Sequence, residues 1–212
     1  MSKGLFITLE GGDGAGKSTQ MNNIEKYFEE RDYSCVRTRE PGGTSIGEAL
    51  REILLSPTTK NMTDVAEMMI FAAQRAQHVR ELIRPAVEEG KIVICDRFVD
   101  SSIAYQHYGR ELGDVVDKVN DIAIDGLIPD ITFWMDINPE AGRERIGQRE
   151  DASLDRLERE KMDFHYRVYN GYKQLCEKHP DRFKRIDATR TIEEMRDEIY
   201  GYLDELCTRL HS

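Results

Sequence analysis

Residues 5–20 read LFITLEGGDGAGKSTQ, an apolar run that leads into a glycine-rich segment ending in lysine and serine. The segment from Gly11 to Ser18 fits the pattern GxxxxGK(S/T), in which successive backbone amides surround phosphate groups. In that pattern the lysine contacts the outer phosphates and the hydroxyl binds Mg²⁺. The stretch therefore predicts a β-strand, a phosphate-binding loop and the start of a helix.

The flanking residues support this interpretation. Phe6, Ile7 and Leu9 form an apolar strand pattern, and a helical pattern begins at Ser18, so the first amides of the helix would point at a bound phosphate. A glycine-rich turn with an unrelated lysine is the alternative, but it leaves the spacing unexplained. The residues that we expect to contact the donor nucleotide are Gly11, Gly12, Asp13, Gly14, Ala15, Gly16, Lys17, Ser18 and Thr19.

The length and composition indicate one globular unit. With 212 residues, 39% hydrophobic and 33% charged, the chain has the makeup of a single domain, which we take as 1–212. A formal net charge of −10 opposes a nucleic-acid partner, because such binding draws on a positive surface. No apolar run is long enough to span a membrane and the first residues lack a secretory signal, so we expect a cytoplasmic protein.

Strand and helix patterns alternate along the chain. This alternation predicts an α/β fold, with a mostly parallel sheet covered by helices on both faces. The predicted strands are 5–10, 34–39, 91–96, 130–136 and 182–187. The predicted helices are 18–31, 64–89, 112–126, 157–178 and 191–209, with a kink or break near Arg84 because Pro85 follows it.

The strand at 91–96 ends in a carboxylate. An acid at the end of an apolar strand is the usual second element that holds Mg²⁺ in phosphate-loop proteins, so Asp96 is predicted as a metal residue together with Ser18. A buried strand that happens to end in an acid is the alternative. Arg97, which follows directly, favours the functional interpretation.

The acceptor of the terminal phosphate is water, a macromolecule or a small molecule. A guanine-reading NKxD segment is absent, which argues against a switch GTPase, and the chain lacks the length and linkers typical of a motor ATPase. A kinase with a small anionic acceptor requires several cations to offset the repulsion between two phosphorylated ligands. Seven arginines lie near the expected loops: Arg39, Arg51, Arg75, Arg97, Arg143, Arg145 and Arg149.

The helix at 64–89 carries two residues suited to base recognition. Helical spacing predicts a core stripe along it and places Phe71 and Arg75 together on the flank of that stripe. A ring beside a guanidinium would suit stacking on a base and bonding to its carbonyl. The alternative is that Phe71 packs at the edge of the core and Arg75 is solvated. The predicted core stripe consists of Val65, Met68, Met69, Ala72, Ala76, Val79 and Ile83.

A second polar face follows Arg97. Ser102 shares a helical face with Tyr105 and Gln106 through three- and four-residue spacing. Such a face offers a hydroxyl, an aromatic ring and an amide to a sugar and a base. A solvated polar face is an equal alternative on spacing alone.

Taken together, these segments resemble the thymidylate kinase family of nucleoside monophosphate kinases. The similarity runs nearly end to end and is carried by EGGDGAGKST, TREPGGT, FAAQR, DRFVDSS, AYQ, GLIPD, LDRLE and IDAT. It implies a P-loop NTPase three-layer sandwich, with a five-stranded parallel sheet and a short mobile lid. It also implies transfer of the ATP γ-phosphoryl to dTMP, with Mg²⁺, by a homodimer joined through long helices such as 64–89.

The resemblance assigns roles to individual residues of the acceptor site. Phe71 would stack on thymine, with Arg75 and Gln106 at the polar edge of the base. The acceptor phosphate would be held by Arg51 and Arg97. The further residues that it places at the acceptor are Arg39, Glu40, Ser102 and Tyr105, the last of which would disfavour a ribose 2′-hydroxyl.

The resemblance also implies the remaining catalytic parts. Asp13 would lie near the 3′-hydroxyl of the acceptor sugar, and Ala188 in IDAT would border the adenine. Because the phosphate loop contains no arginine, a further cation would come from a lid at about 142–156, as in the bacterial type with a basic lid. The predicted catalytic residues are Lys17, Arg97, Asp13, Arg149, Arg143 and Arg145. The alternatives are a kinase for another nucleotide or for a deoxynucleoside, and a P-loop binding or regulatory ATPase without a small acceptor.

Overall fold

The structure is a computed structural model that describes residues 4–147 and 154–210. Within them the chain forms one sheet at the positions that the apolar runs predict. Its strands are β1 Leu5–Glu10, β2 Cys35–Arg39, β3 Ile92–Asp96, β4 Ile131–Asp136 and β5 Phe183–Asp187. Each begins within one residue of its predicted start and ends at its predicted end.

All five strands run parallel in the order β2-β3-β1-β4-β5. The connection after β1 runs to one side of the sheet, and the connection after β3 returns across β1 to β4 on the other side. Ligands bind at such a reversal, outside the carboxyl ends of the strands. Leu9 pairs with Asp96 in the register, so the segments that follow β1 and β3 emerge side by side there.

Helices cover both faces of the sheet. They are α1 Lys17–Glu29, α2 Ser45–Leu55, α3 Asp64–His78, α4 Arg84–Glu88, α5 Val99–Ser102, α6 Val115–Ile124, α7 Pro139–Gly147, α8 Met162–Lys178 and α9 Ile192–Leu210. A π-helical turn, Val79–Ile83, joins α3 to α4, and a second, Ile103–Gly109, continues α5. Helices α2, α5 and α7 lie outside the helical ranges that the sequence patterns predict.

The layers follow from the alternation of side chains along each strand. Ile7 of β1 faces a core formed with α1 and α9, whereas Phe6 packs on the opposite face against the π-helical turn and α4. A third cluster joins Trp134 of β4 to α8. The three-layer α/β sandwich that the sequence predicts is therefore confirmed. Among the described residues, no helix is both long and apolar enough to cross a membrane.

The predicted core stripe is buried at Met68, Ala72, Val79 and Ile83, but the buried face of helix α3 is wider than that stripe and shifted from it at two positions. Val65 and Met69 are exposed, whereas Phe71 and Arg75 are buried. Some polar residues of the helix point into the protein because they have buried partners there, such as Glu40 beside Arg75. Spacing of apolar residues therefore located the stripe incorrectly for Val65 and Met69, and Arg75 is not solvated.

Near Arg84, where the sequence predicts a kink or break, the helix changes its winding. Pro85 has no amide hydrogen, and its ring would clash with the preceding turn of a regular α-helix. The wider π-helical turn Val79–Ile83 comes directly before it, and the chain then continues as α4. The helical path thus persists through 64–88 with a local change of winding.

Candidate active site

The phosphate loop lies at the carboxyl end of β1. Gly16 adopts φ of 88°, a left-handed conformation, and α1 begins at Lys17. The Lys17 ammonium bends back and donates to the carbonyl oxygens of Gly11 and Gly12, at 3.0 and 3.1 Å. The first amides of α1 point toward the loop, as the pattern predicts.

Lys17 is buried inside this loop. Burial, followed by the nearby Arg97 guanidinium, lowers its pKa, while Asp96 and Asp13 oppose that change. The Asp13 carboxylate lies 3.7 Å from the ammonium. A bound polyphosphate would add negative charge beside the ammonium of Lys17 and so favour its charged form.

Helix α7 packs directly on the phosphate loop. Gly14 adopts φ of 79°, and a β-carbon there would lie 2.4 Å from the carbonyl oxygen of Gly142. Only glycine permits this approach. The contact brings Arg145 within 3.5 Å of the Gly14 carbonyl oxygen, as measured from its Nη1.

The predicted lid arginines differ in their surroundings. Arg143 and Arg145 are exposed on α7, and Arg143 reaches the sulfur of Met162 on α8. Both stand beside the phosphate loop, where a cation could meet a donor phosphate. Arg149, and with it the part 148–153 of the predicted lid, lies outside the described residues.

Asp96 and Ser18 line the same depression beside the phosphate loop. The Oδ1 atom of Asp96 is buried and accepts no hydrogen bond from any residue of 4–147 or 154–210. Oxygen atoms of carboxylates and hydroxyls are the ligands that Mg²⁺ prefers. The donor set therefore fits a magnesium ion.

Arg97 occupies the turn that follows β3. Its φ of 67° is unusual for a side chain with a β-carbon, and it turns the guanidinium over the phosphate loop. Nη2 donates to Asp13 at 2.9 Å, and the guanidinium carbon lies 5.2 Å from the centre of the Tyr105 ring. The backbone amide of Arg97 is held by the Leu9 carbonyl at 2.9 Å.

The charges of this pair reinforce each other. Burial alone would raise the pKa of Asp13, but Arg97 and Lys17 outweigh it and hold that pKa well below its usual range. Burial alone would lower the pKa of Arg97, but Tyr105 and Asp13 raise it well above its usual value. Both groups are charged at neutral pH.

Behind Arg97 lies a carboxylate that sequence reasoning missed. Glu10 accepts hydrogen bonds from the Phe98 amide at 2.7 Å, the Ser101 hydroxyl at 2.5 Å and the Tyr172 hydroxyl at 2.9 Å. Tyr172 in turn lies 3.3 Å from Nη1 of Arg97. Glu10 ends an apolar strand, which offered a signal, but its partners come from remote parts of the sequence.

Glu10 makes the stability of the fold depend on pH. Burial, followed by Asp100, raises its pKa from 4.5 to about 7, so the folded chain retains a proton that the unfolded chain releases between these values. The free energy of unfolding therefore loses up to about 3 kcal/mol from this group as the pH rises through that window. Glu10→Gln should lack this loss, so its stability relative to the parent should increase from pH 5 to pH 8 in denaturant titrations.

The matched control for that experiment is Glu52→Gln, at an exposed position of α2. Its stability relative to the parent should change little over the same range. A difference between Glu10→Gln and the parent that stays constant with pH would contradict the raised pKa of Glu10.

A cavity opens beside the phosphate loop, between β3, α2, α3 and α5. Asp13, Asp96 and Arg97 stand at its floor, where it meets the loop. The structure brings all nine predicted acceptor residues together around this one cavity: Arg39, Glu40, Arg51, Phe71, Arg75, Arg97, Ser102, Tyr105 and Gln106. We refer to it as the acceptor cavity.

Arg75 is held differently from the flank position that helical spacing predicts. It is 1% exposed, and its Nε donates to Oε2 of Glu40 at 2.8 Å. Its Nη2 lies 2.7 Å from the same oxygen as an ion pair. Ser102, Asn120 and the Phe98 carbonyl take the remaining donors. Four of the five N–H groups of the guanidinium thus donate hydrogen bonds to protein acceptors, and the ion pair of Nη2 with Glu40 adds a fifth contact, as a buried cation requires.

The hydrogen-bond partners of Glu40 are the neighbouring side chains of Arg75 and His78 in the wall of the acceptor cavity. Its carboxylate accepts from Arg75 and lies 3.1 Å from Nδ1 of His78. Burial alone would raise the pKa of Glu40, but Arg75 and His78 outweigh it and lower the pKa. The structure therefore shows Glu40 and Arg75 as a buried ion pair in the wall of the acceptor cavity.

Arg39 and Arg51 form a cationic rim. Arg39 is paired with Glu48 at 2.9 Å, while Arg51 donates to the Pro41 carbonyl at 2.7 Å. Burial, followed by Arg39, lowers the pKa of Arg51. Two guanidiniums held close enough to repel each other are suited to receive an anion between them.

The other acceptor residues line the walls. Phe71 and Tyr105 are buried, and the Ser102 hydroxyl accepts a hydrogen bond from Arg75. Gln106 donates its Nε2 to Glu67 at 2.8 Å. Ala188, predicted to border the adenine, is buried in the core after β5 and does not line the acceptor cavity.

Two lining residues from the LDRLE motif were missed as site residues. Asp155 and Leu157 close the acceptor cavity on the side opposite the sheet. Their segment is fixed by Arg156, whose amide and Nε donate to the carbonyls of Leu55 and Leu54 at 3.2 and 2.8 Å. The motif itself was the available signal, but its place in space required the fold.

The fold and this site together define a class of enzyme. A phosphate loop after β1, an acid and an arginine after β3, and a second cavity that meets them at the loop are the features of a nucleoside monophosphate kinase. The second cavity distinguishes this class from nucleotide hydrolases, which require no acceptor pocket.

Comparisons with known proteins agree with that class and narrow it. The family model for thymidylate kinase matches residues 9–199. The thymidylate kinase of Halothermothrix orenii is 52% identical over 200 residues, covering 93% of this chain and 95% of the relative. That of Clostridium novyi is 45% identical over 204 residues, covering 96% and 100%. The chain belongs to the thymidylate kinase family.

A solved structure agrees with the fold. The crystal structure of thymidylate kinase from Ehrlichia chaffeensis superposes with a TM-score of 0.78 at 34% sequence identity. The match covers 95% of this chain and 99% of that one. The resemblance stated from the sequence motifs is thereby confirmed, as are the predicted fold and the enzyme class.

Proposed function

We propose that the chain transfers the γ-phosphoryl group of ATP to dTMP, giving ADP and dTDP for dTTP synthesis. One observation supports this most strongly. Arg97 stands where the acceptor cavity meets the phosphate loop, with its guanidinium 2.9 Å from Asp13 of the loop. A cation at that junction can neutralise charge on both ligands as they approach.

The donor would be held by the loop amides and Lys17. Lys17 would exchange its bonds to the Gly11 and Gly12 carbonyls for the outer phosphates of ATP. Ser18 and Asp96 would hold Mg²⁺, which supplies charge neutralisation for the phosphates when bound. Contacts of Thr19 and Ala188 with the nucleotide stay predictions from the sequence.

The acceptor would lie in the acceptor cavity with its phosphate toward the loop. Arg39, Arg51 and Arg97 would receive that phosphate, while Phe71 would stack on the base. Tyr105 would stand against the sugar, close to Asp13. The buried Arg75 would shape the polar edge of the base site from its ion pair with Glu40.

The reaction needs no strong base in this proposal. An oxygen of the acceptor phosphate is already a competent nucleophile near neutral pH, so positioning and charge neutralisation carry the rate. Arg143 and Arg145 on α7 are the nearest lid cations to the phosphate loop in the described chain. Arg149 stays a further candidate from the sequence.

Release of ADP across a series of nucleoside monophosphates tests the proposed function. A coupled assay with ATP and Mg²⁺ should show ADP formation that depends on dTMP. Another monophosphate used in preference to dTMP would identify a different nucleotide kinase. Equal ADP formation without any acceptor would indicate an ATPase and contradict the proposal.

We also propose a homodimer, and the structure supports a surface for it. Three helices that pack side by side, α2, α3 and α6, each expose apolar side chains. Grouped exposed apolar residues often mark an interaction surface. The exposed apolar residues of this surface are Ile46 and Ile53 on α2, Val65 and Met69 on α3, and Val115 and Ile122 on α6.

Ile122→Glu should weaken this dimer. Ile122 is 77% exposed, and a carboxylate that becomes buried within an apolar interface costs several kcal/mol unless it is paired. We expect the dimer dissociation constant to rise by at least about tenfold in sedimentation experiments. Ile128→Glu, at an exposed position before β4, is the matched control. A dimer equally stable in both variants would contradict this interface.

A further inference from the structure

Glu67 is a buried carboxylate on α3 that does not itself line the acceptor cavity. It is 1% exposed. Burial alone would raise its pKa, but hydrogen bonds from Arg110 and Gln106 and the charge of Arg156 lower it. The carboxylate is therefore ionised, and in that form its two oxygens can only accept hydrogen bonds.

The groups that contact Glu67 come from two parts of the chain, the segment that holds Gln106 and Arg110 and the segment that holds Arg156. Gln106 Nε2 lies 2.8 Å from Oε1, which also accepts from Arg110 Nε at 3.2 Å, and Arg110 Nη2 lies 2.9 Å from Oε2. Arg156 Nη2 lies 2.7 Å from Oε2 as an ion pair whose angle is not that of an aligned hydrogen bond. Glu67 thus joins the π-helical turn that carries Gln106 to the segment that closes the acceptor cavity.

This contact determines which way the Gln106 amide faces. An amide has a donor end and an acceptor end, and the hydrogen-bond network decides between its two orientations. Because the Glu67 carboxylate can only accept, Gln106 must present its NH₂ group there. No residue of 4–147 or 154–210 donates to Gln106 Oε1, and Gln106 lines the acceptor cavity. The acceptor end of the amide is therefore available to a ligand.

Pyrimidine bases differ at N3, the ring nitrogen between C2 and C4, the two carbons that carry polar substituents. Thymine and uracil carry an N–H there, which a carbonyl oxygen can accept. Cytosine carries a lone pair there, which would face the oxygen of Gln106 and leave two acceptors opposed. A buried polar group without a partner costs about 1–3 kcal/mol, so amide orientation can discriminate between these bases.

We propose that Glu67 is a specificity-determining positioning residue, which holds the Gln106 amide so that the acceptor cavity selects bases with an imide N–H over cytosine. The inference rests on the proposed function, since it takes a pyrimidine monophosphate as acceptor. It adds a residue that touches no ligand and acts through Gln106.

Glu67→Gln tests this directly. Two guanidinium nitrogens face the Oε2 position and one faces the Oε1 position, so the oxygen of the new amide should take the Oε2 position. Its NH₂ group would then face Gln106, whose own amide would turn its donor end to the base. We measure kcat/KM for dTMP, dUMP and dCMP with ATP. The preference for dTMP over dCMP should fall at least about tenfold. The preference for dTMP over dUMP should be unchanged, because the amide does not read the methyl group.

Further variants separate orientation from folding. Arg110 keeps Asp64 and Glu160 as partners at 3.4 and 2.7 Å when the charge of Glu67 is removed, but Arg156 does not keep a carboxylate. The double variant Glu67→Gln with Arg156→Met removes both charges and carries the same expectation if the single variant is unstable. Arg156→Met alone also removes the bond to the Leu54 carbonyl, which should lower activity toward both substrates, but it leaves Glu67 on Gln106 and should keep the dTMP over dCMP preference.

Arg159→Met is the control in the same segment, where the side chain is exposed and donates to the Leu154 carbonyl. It should leave both preferences unchanged. A folded Glu67→Gln enzyme with the parental dTMP over dCMP preference would overturn the inference. So would an equal fall in both preferences, which would indicate general loosening of the cavity. A parent enzyme that does not use dTMP would instead refute the proposed function, and the inference with it.

Discussion

Arg97→Ala is expected to lower kcat by about 10³–10⁵-fold, the range attributed to an arginine that stabilises the transition state of phosphoryl transfer. The guanidinium stands between the phosphate loop and the acceptor cavity, and it is buried enough for its charge to act strongly. The fold should persist, because the turn at Arg97 is held by backbone bonds to Leu9 and by the Glu10 bond to Phe98.

The conservative variant and a surface control sharpen this prediction. Arg97→Lys keeps a positive charge but loses the two-pronged geometry, so its kcat should lie between the alanine variant and the parent. Arg196→Ala on α9, where the side chain is half-buried and paired with Asp197, should leave kcat within about twofold. Parental activity in a folded Arg97→Ala enzyme would remove Arg97 from the mechanism.

Lys17→Ala should reduce kcat/KM for ATP by at least about 10²–10³-fold, the cost of removing one preorganised donor from a catalytic site. The ammonium is buried in the phosphate loop, where it has only carbonyl oxygens and Asp13 as described partners. It is therefore ready to exchange them for a phosphate. Steady-state kinetics with ATP as the varied substrate measure the loss.

Lys26→Ala is the matched control for Lys17. It removes the same charge from the same helix, α1, at an exposed position paired with Glu30 at 3.7 Å. Its kinetics should match those of the parent. If Lys17→Ala and Lys26→Ala gave the same kcat/KM while both were folded, the lysine of the phosphate loop would have no special role.

The centre of the sheet could be predicted from the sequence because its three inner strands, β1, β3 and β4, are buried on both faces, whereas the edge strands β2 and β5 are only partly buried. Strands of a parallel sheet under helices read as continuous apolar runs, such as IVIC before Asp96. Helices α8 and α9 were located for a related reason, since each carries a long apolar stripe. The positions of the phosphate loop and of Arg97 then follow from their places after β1 and β3.

Helix α2 was harder to predict. It has eleven residues, begins after Thr44, whose side chain accepts from the Gly47 amide, and contains a glycine in its first turn. Short helices gain little from intrinsic propensity and depend on packing. The packing of α2 against α3 is a tertiary contact that local spacing does not reveal.

The inward turn of α3 shows the limit of apolar periodicity. Prediction of a buried face from the spacing of apolar residues assumes that polar residues face water. Arg75 and Glu67 are instead buried, because partners from distant segments satisfy them. Glu40 and Arg110, which provide these partners, lie 35 and 43 residues away in the sequence. Pairing over such distances becomes visible only in the fold, and the same holds for Tyr172 behind Arg97.

The most direct test of the whole account is a crystal structure with dTMP and a non-hydrolysable ATP analogue. We predict that Arg97 leaves or shares its bond to Asp13 and donates to the acceptor phosphate, while Lys17 contacts the phosphates of the donor. An acceptor nucleotide bound outside the acceptor cavity, with Arg97 touching neither ligand, would contradict the account.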